Sequence, residues 1–228
     1  NFKKAEPYVK NYKVKYYPHY KSMLQNEKNL DIVVIMTPSG MHYEHALFII
    51  KNYNLDIIVE KPTFLKTSQV KRIYKIASRK KNKIYPVFQN RYNRAVKRLR
   101  KAINQGELGQ IRVISVRVRW CRPQRYYDLS VWRGTYSHDG GALTNQGIHH
   151  IDLLRNLFGE IKKIHTNMKT FGAKIEVEDS VTANLEFANG SIGSLEILTS
   201  ARPKDYEASI SVVGSKGLAQ IGGWAVNE

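Results

Sequence analysis

The sequence predicts an α/β plus α+β chain, in which a truncated parallel sheet with helices is followed by an open, mainly antiparallel sheet. Three observations carry this. Over residues 1–90, short apolar runs recur about every 25 residues with helical patterns between them, the spacing of strand, crossover helix and parallel strand. From Ile111 onward, longer runs alternate strictly between apolar and polar residues. The change falls near Gln89–Asn93, which sets the expected domains at 1–90 and 91–228.

Asn1–Lys15 is polar and lysine-rich without an apolar centre, unlike a secretory signal. Asp31–Met36, Leu55–Val59 and Ile84–Phe88 read as strands, and their near-continuous apolar character suits a sheet covered on both faces. The crossovers carry apolar faces at Tyr43, Ala46, Leu47 and Ile50, then at Val70, Ile73, Tyr74 and Ala77 after a Thr67/Ser68 cap. A short amphipathic helix with Val96, Leu99 and Ile103 runs to Gly106. Gly109 then opens a strand over Ile111–Trp120, with Ile114, Val116, Val118 and Trp120 on one face and Arg117 and Arg119 on the other. A helix from Gly141 or Ala142 to Gly159 follows. Ser180–Phe187, Ser191–Leu198 and Ala208–Val213 alternate again, separated by Asn189-Gly190 and Pro203. Because Ile192 lies opposite Leu195 and Ile197, the sheet face away from the helix is expected to join a homodimer or homotetramer.

The 228 residues, 42% hydrophobic and 25% charged, exclude disorder and collagen-like repeats. No apolar run approaches the roughly 20 residues of a spanning helix, so no membrane partner is expected and the cytoplasm is the expected address. Cys121 is the single cysteine, which excludes an internal disulfide and a cysteine-based zinc site. A formal charge of +18 would attract polyanions or phosphorylated metabolites. Much of the excess is lysine scattered over helix faces rather than gathered in a reading element, so no nucleic-acid partner is expected; a basic nucleic-acid-associated protein stays as a rival, marked by steep salt dependence.

Two stretches carry chemistry. Glu60-Lys61-Pro62 follows the second strand at its carboxyl end, where open α/β sheets place ligands, and a lysine there can stabilise a developing alkoxide. Alone, the tripeptide reads more readily as a surface pair before a helix-starting proline. In Gly140–Leu154, Asn145, His149 and Asp152 share one helical stripe and Ile148, Ile151 and Leu154 another. His149 is read as exchanging protons near neutral pH beside Asn145, with His150 packed or solvated. A helix-surface pair and a metal site with His138 and His150 remain alternatives, although no zinc-motif spacing is present.

Thr37-Pro38 with His42 after it, Glu60-Lys61-Pro62, Gln89-Asn90-Arg91 and then Gly-Gly-Ala-Leu-x-Asn-x-Gly-x-His-His-x-Asp-Leu-Leu, in this order, resemble the glucose-fructose oxidoreductase, inositol dehydrogenase and MocA family. Arg119–Tyr127 with Trp132-Arg133-Gly134 further resembles its branch acting on UDP-N-acetylglucosamine or its uronate at the 3-hydroxyl. The resemblance implies a Rossmann-like first domain and a nicotinamide cofactor, NAD or NADP with NAD favoured, for oxidation of a sugar or nucleotide-sugar hydroxyl. It implies that Lys61 polarises the reacting hydroxyl, that His149 takes its proton with Asn145 alongside, and that Thr37, Pro38, His42, Glu60, Lys61 and Gln89 line the cofactor. Arg119, Arg122, Arg125 and Tyr127, with Asn145 and His149, are the implied substrate contacts, arginine suiting a diphosphate. Many members have aspartate where this chain has Asn145. No Gly-x-Gly-x-x-Gly turn occurs, so a truncated chain with weak dinucleotide affinity is expected; a non-catalytic sugar-phosphate-binding or regulatory protein with a degenerate cofactor site is the alternative.

Overall fold

The computed structural model describes residues 2–228. Two helices, α1 (Phe2–Tyr12) and α2 (Tyr20–Asn26), precede the first strand. Neither was legible as an apolar stripe, since α1 buries no residue and α2 only Leu24.

β1 (Ile32–Ile35), β2 (Asp56–Val59) and β3 (Ile84–Pro86) form a parallel sheet in that order, joined through α3 (His42–Tyr53) and α4 (Thr67–Lys80). The register aligns Val33 with Ile57 and Ile84, and Ile35 with Val59 and Pro86. Val33, Ile35, Ile57 and Val59 pack against Ala46, Ile49, Ile50, Ile73 and Ala77. The other face is open: Ile32, Val34 and Tyr85 are exposed. The expectation of helices on both faces is corrected accordingly for the described residues. Both crossovers step across the sheet in the same direction, and right-handed connections that do so lay their helices on the same side.

The second half begins with α5 (Arg94–Asn104) and β4 (Ile111–Arg119), then α6 (Gln124–Asp128), a π-helical turn (Ala142–Gln146) and α7 (Ile148–Phe158). β5 (Ile161–Lys169), β6 (Ser180–Phe187), β7 (Ile192–Leu198), β8 (Glu207–Gly214) and β9 (Leu218–Ile221) complete a six-stranded sheet in the order β5-β6-β7-β4-β8-β9. Every pairing is antiparallel except β4 with β7. The alternation read in β4 holds: Ile114, Val116 and Val118 are fully buried against α5 and α7, with Val96, Leu99, Leu153 and Leu154 opposite. At zero exposure, Leu153 is worth about 2–5 kcal/mol against alanine.

The apolar stripe of α7 differs from the reading. His150, Leu153, Leu154 and Leu157 face the core, while Ile148 and Ile151 are half-buried. The buried set follows i, i+3, i+4, i+7 from His150, so the core face of α7 is centred on Leu153, Leu154 and Leu157, with Ile148 and Ile151 at its edge.

Candidate active site

The two halves meet where the carboxyl ends of β1, β2 and β3 face the turn leading into α7. Lys61 leaves the end of β2 and its ammonium donates to the Asn145 backbone carbonyl at 2.9 Å and to Asn145 Oδ1 at 3.3 Å. This joins residues 84 positions apart. Burial pushes the Lys61 pKa down; Glu60 and Asp139 pull it back up, while Arg133 and Arg122 add to the fall. The Glu60 carboxylate accepts the Lys61 backbone N–H at 2.9 Å, fixing the turn from which the lysine springs.

The π turn shapes the other wall. Gly140 and Gly141 have φ of 85° and 83°, and a Cβ on Gly141 would strike the Glu178 carboxylate, which accepts the Leu143 N–H at 2.9 Å. Asn145 is thereby presented sideways to Lys61, and Gln146 Nε2 donates to Asn145 Oδ1 at 3.1 Å.

His149, one turn on, is only 7% exposed. Its Nε2 lies 3.5 Å from Gln89 Nε2, its ring meets Phe88 edge-on, and Nδ1 is buried without a partner. Burial first and the Lys61 charge second push its pKa to about 4, so titration near neutrality is corrected: the imidazole is neutral at pH 7. Asp152 acts on His149 through its charge, which opposes the fall, but its hydrogen bonds go elsewhere. It pairs through both carboxylate oxygens with Arg91, Nε to Oδ2 at 2.6 Å, tying α7 to the segment after β3. His150, wholly buried against Trp120, is pushed to about 3 by desolvation.

The other residues singled out by the sequence divide. Thr37 and Pro38 follow β1 and Gln89 follows β3, so with Glu60 and Lys61 they stand at the carboxyl ends of the parallel strands. His42 does not reach the cleft. It is 1% exposed, and its ring nitrogens lie 2.7 Å from the Thr37 carbonyl and 2.9 Å from that of Pro62, so it braces two loops. Arg122 and Arg125 line an open cleft of about 600 Å³ with Cys121, Pro123, Tyr126, Leu129 and Gln146. Tyr127 is buried, its hydroxyl 3.1 Å from Thr199 Oγ1. Arg119 is turned to the outer sheet face, held by Glu196 at 2.6 Å and Glu207 at 3.3 Å; its place in β4 with the parity of Arg117 dictates this.

Three participants escaped the sequence reading. Asp139 accepts from Asn145 Nδ2, Gln146 bridges Asn145 to the Tyr126 hydroxyl at 3.2 Å, and Arg133 lies 4.4 Å from the centre of the Tyr126 ring, which Arg122 also approaches at 5.5 Å. The Trp132-Arg133 pair was the only local signal for the last. Together these groups offer a half-buried ammonium and a neutral imidazole beside a cationic, aromatic cleft, a donor set suited to a hydroxylated, anionic ligand. Among the described residues no three His, Cys, Asp or Glu side chains converge as a metal site, and no helix is long and apolar enough to cross a membrane.

The strand-end residues fit the nicotinamide and ribose end of a dinucleotide. Among the described residues His149 Nδ1 is an orphaned polar atom there, and the Lys61 ammonium keeps one of its three N–H donors beyond the two given to Asn145. A glycine turn to cradle the pyrophosphate is not among the residues of this chain.

Residues 1–88 match the family model described as "Oxidoreductase family, NAD-binding Rossmann fold", and residues 96–220 match the GFO/IDH/MocA C-terminal domain. A solved WlbA dehydrogenase from Bordetella pertussis, in complex with NADH and UDP-GlcNAcA, superposes with a TM-score of 0.94 at 33% identity, over 100% of this chain and 67% of its own. D-glucoside 3-dehydrogenase of Escherichia coli is 29% identical over 84% of this chain and 58% of its length. The scyllo-inositol 2-dehydrogenase (NADP(+)) IolW of Bacillus subtilis is 27% identical over 74% of this chain and 46% of its own. The chain thus spans roughly half of the curated relatives it matches.

Proposed function

Because the chain belongs to the GFO/IDH/MocA oxidoreductase family, we propose that it serves NAD-dependent oxidation of a sugar hydroxyl, specifically the 3-hydroxyl of a UDP-N-acetyl sugar such as the uronate. The observation that carries this reading is the convergence of Lys61 and Asn145 from opposite halves of the chain, with His149 on the same wall and the cleft of Arg122, Arg125 and Tyr126 adjoining. The Lys61 ammonium holds the reacting hydroxyl and stabilises the alkoxide as it forms. The neutral His149 ring accepts the proton, and its burial keeps water from competing for that role. Bound NAD supplies the hydride acceptor. Thr37, Glu60 and Gln89 would orient the nicotinamide end, and Arg122 and Arg125 would meet the diphosphate. A non-catalytic binding role gives no reason to bury an ammonium beside an imidazole.

A substrate panel tests this. UDP-N-acetylglucosamine uronate should reduce NAD with a kcat/KM at least about a hundredfold above that of the free sugar, because the uridine diphosphate contributes binding energy remote from the reacting carbon. Equal rates for nucleotide-linked and free sugars would remove the nucleotide-sugar assignment. Absence of NAD reduction with every sugar at saturating NAD would remove the oxidoreductase reading.

A further inference from the structure

We infer that Asp139 is a positioning residue for Lys61: it fixes the Asn145 side-chain amide so that the carbonyl faces the lysine, placing a buried carboxylate behind the amide as the lysine's counter-charge. The inference rests on the reading of Lys61 as the group that holds the substrate hydroxyl.

Asp139 is 4% exposed and lies in the loop before the π turn. Its Oδ2 accepts the Gly134 backbone N–H at 2.7 Å, and its Oδ1 accepts from Asn145 Nδ2. Asn145, 8% exposed, turns its Oδ1 toward two donors, Lys61 Nζ at 3.3 Å and Gln146 Nε2 at 3.1 Å. An amide has a donor end and an acceptor end that exchange on a half-turn, whereas an ionised carboxylate only accepts. With Asp139 ionised, one orientation satisfies all four groups. The flipped amide would set oxygen against carboxylate and NH2 against both an ammonium and a second amide, in a site where unmade hydrogen bonds are costly.

The charged and titratable groups around this pair come from every neighbouring segment. Lys61 and Glu60 lie after β2, Arg133 and Arg122 on the loops flanking α6, Tyr127 on α6, His149 on α7 and Glu178 before β6. Burial raises the Asp139 pKa, and the Gly134 and Asn145 hydrogen bonds with the Arg133 and Lys61 charges oppose that rise. In return, Asp139 and Glu60 offset the burial and arginine repulsion that disfavour a charged lysine. Asp139 touches no reacting atom in this arrangement. It acts through Asn145.

Lysine side-chain NMR, with Lys61 assigned by its loss in Lys61→Met, reads the effect without turnover. In Asp139→Asn the Lys61 titration should move to lower pH. In the swap Asp139→Asn/Asn145→Asp, which brings the carboxylate directly to the lysine, it should return at least to the parent value. Turnover should follow, falling roughly tenfold to a hundredfold in Asp139→Asn with KM little changed, its alkaline limb moved to lower pH, and recovering in the swap. In the unsubstituted protein, the Asn145 side-chain NH2 signals should titrate with the Asp139 carboxyl, a readout that holds even where a variant fails to fold. An unmoved Lys61 titration in folded Asp139→Asn, a swap that restores nothing, or Asn145 signals indifferent to acid would each overturn the inference. If the parent oxidises no sugar, the functional reading falls, while the two NMR titrations still decide the role of Asp139.

Discussion

Lys61 and His149 divide the proposed chemistry between charge and lone pair, and each has a distinct signature. Lys61→Met and His149→Ala should slow sugar-dependent NAD reduction by roughly two to four orders of magnitude with circular dichroism unchanged, which stopped-flow kinetics on the folded variants checks. The buried histidines also couple stability to pH. His149 and His150 titrate at about 4 and about 3 when folded, below the ordinary 6.5, so between those values and 6.5 the unfolded chain binds more protons. Stability therefore rises with pH across that window and is lost as pH falls from 6.5, by about 1.4 kcal/mol per pH unit for each histidine. His150→Leu should lower the slope of urea-derived stability between pH 4.5 and 6.5 by about that amount; an unchanged slope would contradict the buried, neutral ring. Lys61 and His149 were legible because their neighbours in sequence mark them. Asp139 and Gln146 were not, and Arg133 was marked only by the motif beside Trp132, since Asp139–Asn145, Gln146–Tyr126 and Arg133–Tyr126 meet through loops whose path no local pattern records.

At the level of elements, the π turn decides the site, because it offsets Asn145 from α7 and sets Gly141 against Glu178. Gly141→Ala forces a side chain into φ near 83° and against the half-buried Glu178 carboxylate, and should cost about 1–3 kcal/mol in denaturant unfolding together with most of the activity. A variant as stable as the parent would show that the turn is not held as described. β1, β2, β4, β6, β7 and β8 were readable because each buries a face, and β3, which only half-buries Ile84, was readable from its apolar run and its spacing from β2. β5 was not: Ile161 alone is partly buried along Ile161–Lys169, and the strand lies at the sheet edge with one neighbour, so no alternation is imposed on it. β9 is another edge strand, four residues long. Arg119 shows the reverse case, in which alternation read correctly from the sequence already placed it on the outer face while the motif pointed to the substrate.

Across the whole molecule, we propose the outer face of the six-stranded sheet as the place where a second copy of the chain docks. Ile192, Val113, Val213 and Leu218 pair in one row across β7, β4, β8 and β9 and are 55%, 40%, 46% and 78% exposed. The neighbouring rows carry serines and the Arg119–Glu196–Glu207 pairs, so the face is apolar at one end and charge-balanced at the other, as a self-complementary contact requires. Sedimentation should give a dimer or tetramer at tens of micromolar, and Val213→Glu should shift it to monomer; a monomeric parent would refute the assignment. In the proposed reaction the C3–H bond of the sugar breaks as its hydrogen passes to the nicotinamide, and isotopic substitution reads that step. UDP-N-acetylglucosamine uronate deuterated at C3 should deliver its deuterium to the reduced nicotinamide and turn over more slowly than the protonated substrate. Deuterium retained on the sugar while NAD is reduced would contradict the account.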